Sequence, residues 1–290
     1  MQTATSDTRL FIHRIAEHWA QGSEAPSTPD DMRWRGSQAG FCARKIAYDT
    51  LGLDKTDPPS TADYWRMGLG SVVHELLEPA IKAWLDTDDT VEIEEEVSVQ
   101  LGEHGYGHVD LVLRTRTDPQ QTIVLELKTI NGFGYKMSVE NGQGPRHSHV
   151  LQGALYANAL DADLLVIGYL SMENIAPNRA AAKGIDDIGR FATEWHFTPD
   201  EFVPLAEQET GRLTAITNQV HETQDATTVG MRFSHSDPDI PFPAEITDPA
   251  TGRWEYETSY NGSRSATFGK VWQCRYCDYQ TRCVADRNLL

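Results

Sequence analysis

Three β-rich runs follow one another in the middle of the chain: "VEIEEEVSV" (91–99), "YGHVDLVLRT" (106–115) and "TIVLELKT" (122–129). The first largely alternates apolar and acidic residues, the pattern of a half-buried strand. The second and third are joined by "RTDPQQ", whose Asp118 and Pro119 mark a turn, so the three together read as a strand meander. A helical pattern at 147–160 ("HSHVLQGALYANAL") comes next, then an apolar strand at 164–171. A further strand, "FATEWHF", and a helix over 199–222 complete the section. That order predicts an α/β fold: a central mixed β-sheet flanked by helices.

Helices are also expected on the N-terminal side. Residues 6–21 carry Leu10, Ile12, Ile15, Ala16 and Trp19 on one face, and "QAGFCARKIAYDTLGL" is helical in pattern. Over 66–86, Val72, Val73, Leu76, Leu77 and Ile81 form an apolar stripe. Between Asp225 and Lys270 the chain is rich in Pro, Gly, Asp and Ser, which predicts a long loop or insertion. Three regions follow: an N-terminal helical segment at 1–60, a core at 61–222, and a loop-rich C-terminal segment at 223–290.

The 290 residues suffice for a substantial core, and 39% hydrophobic with 23% charged residues is ordinary globular composition. No apolar run approaches a bilayer-spanning length, and "MQTATSDTRL" lacks the basic-then-apolar pattern of a secretory signal. The expected location is cytoplasmic, with no membrane association and reduced thiols. A net charge of −18 argues against a general polyanion binder, so any nucleic-acid groove must be local.

Glu126 and Lys128 lie two apart on a predicted strand and therefore point to one face, with Asp110 on the strand before. Two carboxylates and an amine on one face suit a hard divalent cation, which polarises a phosphodiester and acidifies a bound water. The same spacing also arises on an ordinary solvated strand face. Gln152 and Tyr156 are four apart on the following helix, as are His74 and Glu78 on the earlier one.

The ordered set of His74, Asp110, Glu126-Leu127-Lys128 and Gln152-x-x-x-Tyr156 resembles the PD-(D/E)XK nuclease superfamily, specifically its RecB-like branch. The resemblance implies a restriction-endonuclease-like core and a metal site made by His74, Asp110, Glu126 and the carbonyl of Leu127. It implies that Lys128 acts on the attacking water and that Gln152 and Tyr156 position substrate and lysine. Val109 stands where the superfamily's eponymous proline would be.

The four cysteines are split between the two ends: Cys42 in "GFCARKIAY", and Cys274, Cys277 and Cys283 in "VWQCRYCDYQTRCVAD". Four thiolates are soft ligands that complete either an iron–sulfur or a zinc site. The spacing resembles the four-cysteine iron–sulfur nucleases, the CRISPR-associated Cas-four exonucleases and AddB-type helicase-nucleases. That resemblance implies a [4Fe–4S] cluster on all four cysteines and an iron–sulfur domain formed by the N- and C-terminal segments.

Basic residues gather near both segments: Arg33 and Arg35, then Arg44 and Lys45, and later Lys270, Arg275, Arg282 and Arg287, with Trp272, Tyr276 and Tyr279 interleaved. Arg44 and Lys45 are the expected DNA contacts. The expected function is a Mg²⁺- or Mn²⁺-dependent DNA exonuclease acting on single-stranded ends. The alternative is a non-catalytic DNA-end-binding or assembly subunit of a recombination or CRISPR-adaptation complex.

Overall fold

The computed structural model describes residues 32–85, 87, 90–229 and 277–287. The expected helix at 6–21, Cys274 and most of the Pro/Gly-rich stretch after 229 lie outside the described residues, as do the side chains of His74 and Glu78. In chain order the elements are β1 (Trp34–Arg35), a 3₁₀ turn (Gly36–Gln38), α1 (Ala43–Thr50), α2 (Thr61–Leu85), β2 (Val91–Leu101), β3 (Gly105–Thr115) and β4 (Thr122–Ile130). Next come α3 (Gly132–Val139), α4 (His147–Ala159), β5 (Leu164–Ser171), α5 (Pro177–Ala182), β6 (Ala192–Phe197), α6 (Pro199–Thr223) and α7 (Gln280–Arg287).

The strands form one mixed six-stranded sheet in the order β1-β3-β4-β5-β6, with β2 pairing on β3. The β2–β3–β4 meander is antiparallel, and β4 then pairs with β5 in parallel. A parallel pair needs a crossover, which α3 and α4 supply. β5 is almost wholly buried, with Leu165, Ile167 and Tyr169 sealed from solvent, as expected of a strand paired on both edges and covered by helices.

One departure from a regular sheet decides where the site lies. β2 pairs with β3 along its length, so β1 and β4 share the other edge of β3. β4 holds that edge only from Leu111 to Arg114, and β1 takes Gly105 and Tyr106. Residues 107–110 lie between, where the edge opens.

The long helix α6 begins with a reciprocal capping box between Thr198 and Glu201 and with Pro199 in the first turn. Its buried Glu209 accepts the Gly40 N–H at 2.7 Å and pairs with Arg212 at 2.6 Å, while Arg212 donates to the Phe41 carbonyl. The segment entering Cys42 is thereby tied to the core. α7 docks on the same N-terminal region: Tyr279 donates to Asp49, Tyr48 to Asp286, and Asp57 accepts from Thr281.

The expected elements of the core are present, with the 66–86 helix starting earlier, at Thr61. α3 is not among the expected elements; Asn131 starts it by accepting the Gly134 N–H at 2.7 Å. No helix among the described residues is long and apolar enough to cross a membrane.

Candidate active site

Asp110 sits where the β3–β4 ladder ends, one step beyond the Leu111–Leu125 pair. Its carboxylate accepts the Leu127 N–H at 2.8 Å, so a side chain replaces the backbone acceptor that pairing would have supplied. Glu126 is fully buried, and Lys128 Nζ stands 2.5 Å from its Oε1 with about a quarter of the lysine side chain exposed. Beyond that ion pair on Oε1, the Glu126 carboxylate makes no hydrogen bond among the described residues, and Oε2 has no partner. A buried carboxylate whose only neighbour of opposite charge among the described residues is one ammonium, on Oε1, leaves Oε2 as an unfilled ligand position.

Burial raises the Glu126 pKa to about 7; Lys128 opposes the shift and Asp110 adds to it. The two acidic groups therefore feel each other, and the pair is suited to a cation that would hold both ionised.

Gln152 and Tyr156 flank this pair from α4. Gln152 Nε2 donates to the Tyr156 hydroxyl at 3.3 Å, and that hydroxyl also takes the His108 amide within the opened edge of β3. The Tyr156 ring fits because residues 36 and 107 are glycines: a methyl group at either would overlap it. Burial, then the charge of Glu126, holds the phenol protonated well above its ordinary range. Asp110, Glu126, Lys128, Gln152 and Tyr156 thus converge. His74 belongs to α2, but its side chain lies outside the described residues.

Sequence reasoning passed over a second group beside Lys128. Tyr169, the cross-strand partner of Lys128, accepts the Arg146 amide at 2.8 Å and lies 2.7 Å from His149 Nδ1. The signal was present: His149 is three residues before Gln152, on the same helical face.

Cys42 caps the start of α1, and Cys277 and Cys283 approach it from the C-terminal segment. None of the three is in a disulfide. Burial, opposed by the Tyr279 amide and Lys45, pushes the Cys277 thiol up to about 11. Burial and the neighbouring Cys42 push Cys283 up to about 12, and burial also raises Cys42. Each thiol feels the others, yet among the described residues no group of three or more His, Cys, Asp or Glu forms a metal-binding set.

Arg44 points inward. It is 5% exposed, donating from Nε to the Val229 carbonyl at 2.9 Å and from Nη2 to Thr227 at 3.1 Å, while Nη1 has no partner. Lys45 pairs with Asp49 and Asp278. Both expected DNA contacts are therefore engaged within the protein, Arg44 by backbone carbonyls and Lys45 by carboxylates. Arg33 and Arg35 instead flank Tyr106, with Arg33 over its ring at 4.7 Å and Arg35 Nε donating to its hydroxyl at 2.7 Å.

No protein-family model matches the chain, and no curated protein matches it. Among solved structures, one titled SSO0001 is 15% identical, with 94% of this chain and 96% of that one covered and a TM-score of 0.47. The alkaline exonuclease LHK-Exo of Laribacter hongkongensis is 12% identical, covering 72% and 95%, with a TM-score of 0.43. A phage-related exonuclease from Haemophilus somnus 129PT is 14% identical, covering 63% and 82%, with a TM-score of 0.40. These likenesses are loose, and neither fold nor activity passes from those proteins to this chain.

Proposed function

We propose that this protein is a metal-dependent DNA nuclease of the PD-(D/E)XK type that removes nucleotides from single-stranded ends. The supporting observation is Glu126: a sealed carboxylate paired with Lys128 through Oε1, its Oε2 without a partner, beside Asp110 where the sheet edge parts. Asp110 and Glu126 would hold Mg²⁺ or Mn²⁺, joined on the resemblance by His74 and the Leu127 carbonyl. That ion supplies Lewis acidity to a phosphodiester and lowers the pKa of a water.

The remaining roles fall to the chain itself. Lys128 pairs with the buried Glu126 while about a quarter of its side chain reaches solvent, so its ammonium can orient an incoming water while staying paired. Tyr156 braces the opened edge of β3 through the His108 amide, and Gln152 fixes the Tyr156 hydroxyl. The carboxylate separation is thereby set by packing before substrate arrives.

Cys42, Cys277 and Cys283, with Cys274, would hold a [4Fe–4S] cluster that pins both termini together. The support is the approach of Cys277 and Cys283 to Cys42, with the charge of Arg44 acting on Cys42 and Cys283. Such a cation offsets thiolate charge, so we assign Arg44 to this centre rather than to DNA.

The test is digestion of end-labelled single- and double-stranded DNA with Mn²⁺, comparing wild type with Lys128→Ala. A loss of about 10²-fold or more in the variant is expected; equal activity in both rejects the assignment. Anaerobic purification with iron, sulfide and zinc analysis tests the cluster. A colourless protein containing zinc excludes it.

A further inference from the structure

His149, Gln152 and Tyr156 form one row along α4, facing the β4–β5 end of the site. The Tyr169 hydroxyl contacts two groups, the Arg146 amide at 2.8 Å and His149 Nδ1 at 2.7 Å. An amide N–H can only donate, so the phenol oxygen accepts from Arg146. Its own proton has no other acceptor among the described residues than Nδ1, and the tautomer that satisfies it is the one with Nδ1 bare. A neutral imidazole that accepts at Nδ1 carries its hydrogen on Nε2.

Packing holds the ring in place. His149 meets Tyr169 edge-on at 5.5 Å, and Tyr169 meets Trp195 likewise at 5.0 Å. Nε2 makes no hydrogen bond among the described residues, and the residue is only partly buried, so Nε2 is left for an outside acceptor. Burial, then the charges of Lys128 and Arg146, drives the His149 pKa down to about 3, so the ring is neutral at working pH.

We infer that His149 is a fixed hydrogen-bond donor to substrate, offering Nε2–H to a non-bridging oxygen of the phosphodiester beside Lys128. The inference rests on the nuclease reading. A neutral donor suits this position, because a second cation beside Lys128 would repel it, whereas an N–H dipole adds stabilisation without net charge. Tyr169 is then a positioning residue, acting only through the tautomer it imposes.

His149→Ala is expected to lower kcat on the order of 10²-fold while KM and DNA binding in Ca²⁺ change by less than about threefold. His149→Gln, which places an amide N–H near the Nε2 position, is expected to recover activity to within about tenfold of wild type. Long-range ¹H–¹⁵N spectra of histidine-labelled protein at pH 7 should show Nε2 protonated and Nδ1 bare. Tyr169→Phe should relax that preference.

A folded His149→Ala enzyme within about threefold of wild type overturns the inference, as do equal losses in the Ala and Gln variants. An Nδ1-protonated ring or an imidazolium overturns it as well. Lys128→Ala separates the two levels: if it retains activity the nuclease assignment itself fails, and if it is inactive while His149→Ala is not, only the role of His149 fails.

Discussion

Glu126→Gln should stabilise the metal-free protein at alkaline pH while abolishing its activity. Burial lifts the folded-state pKa of Glu126 from 4.5 to about 7. The folded chain therefore holds a proton that the unfolded chain has already released, and wild-type stability falls as pH rises from about 4.5 through 7. A gap of roughly 2.5 pH units at 1.36 kcal/mol each is about 3 kcal/mol. Glutamine keeps the shape and carries no charge to desolvate, so the penalty disappears. At about 2–4 °C per kcal/mol, Glu126→Gln should melt roughly 6–12 °C above wild type at pH 8 in EDTA, and nearly level with it at pH 4.5. Differential scanning fluorimetry across that range measures both. Mn²⁺ should raise the wild-type melting temperature at pH 8 and leave the variant unmoved. A variant no more stable than wild type at pH 8 would refute the claim that burial of Glu126 outweighs its pairing with Lys128.

Other expectations concern the scaffold. Gly107→Ala should cost about 1–3 kcal/mol in urea unfolding, because the new methyl overlaps the Tyr156 ring, which Gly36 confines on another side. Exonuclease activity should fall with it, since the same ring braces the opened strand edge. Glu209→Ala strands the largely buried Arg212 and the Gly40 amide, and should destabilise by about 3–5 kcal/mol. Cys283→Ser should lower bound iron and sulfide in anaerobically purified protein while leaving Asp110 and Glu126 in place. Unchanged iron content in that variant would contradict the cluster assignment.

Much of the core was legible because it is local. Strand alternation and the helical stripes depend on neighbours two to four residues away, and so the meander, α4, β5 and α6 could be read directly. The pairing of Glu126 with Lys128 followed from the strand period alone. Arg44 was misjudged because its sequence context, a basic pair after a cysteine, says nothing about where a guanidinium can find carbonyls. Those carbonyls belong to Thr227 and Val229, far along the chain. β1 escaped notice for a similar reason: two residues have no period, and only pairing with β3 makes them a strand.

By itself, then, the sequence determined which groups could do chemistry and which elements would carry them. Only the tertiary structure decided their environment. It opened the β3 edge between β1 and β4, sealed Glu126 from water, and brought Tyr169 and His149 against Lys128 through a parallel strand pair and the start of α4. Burial and cross-strand neighbours arise from contacts between distant segments, and these set the proton affinity and hydrogen-bond direction of each group.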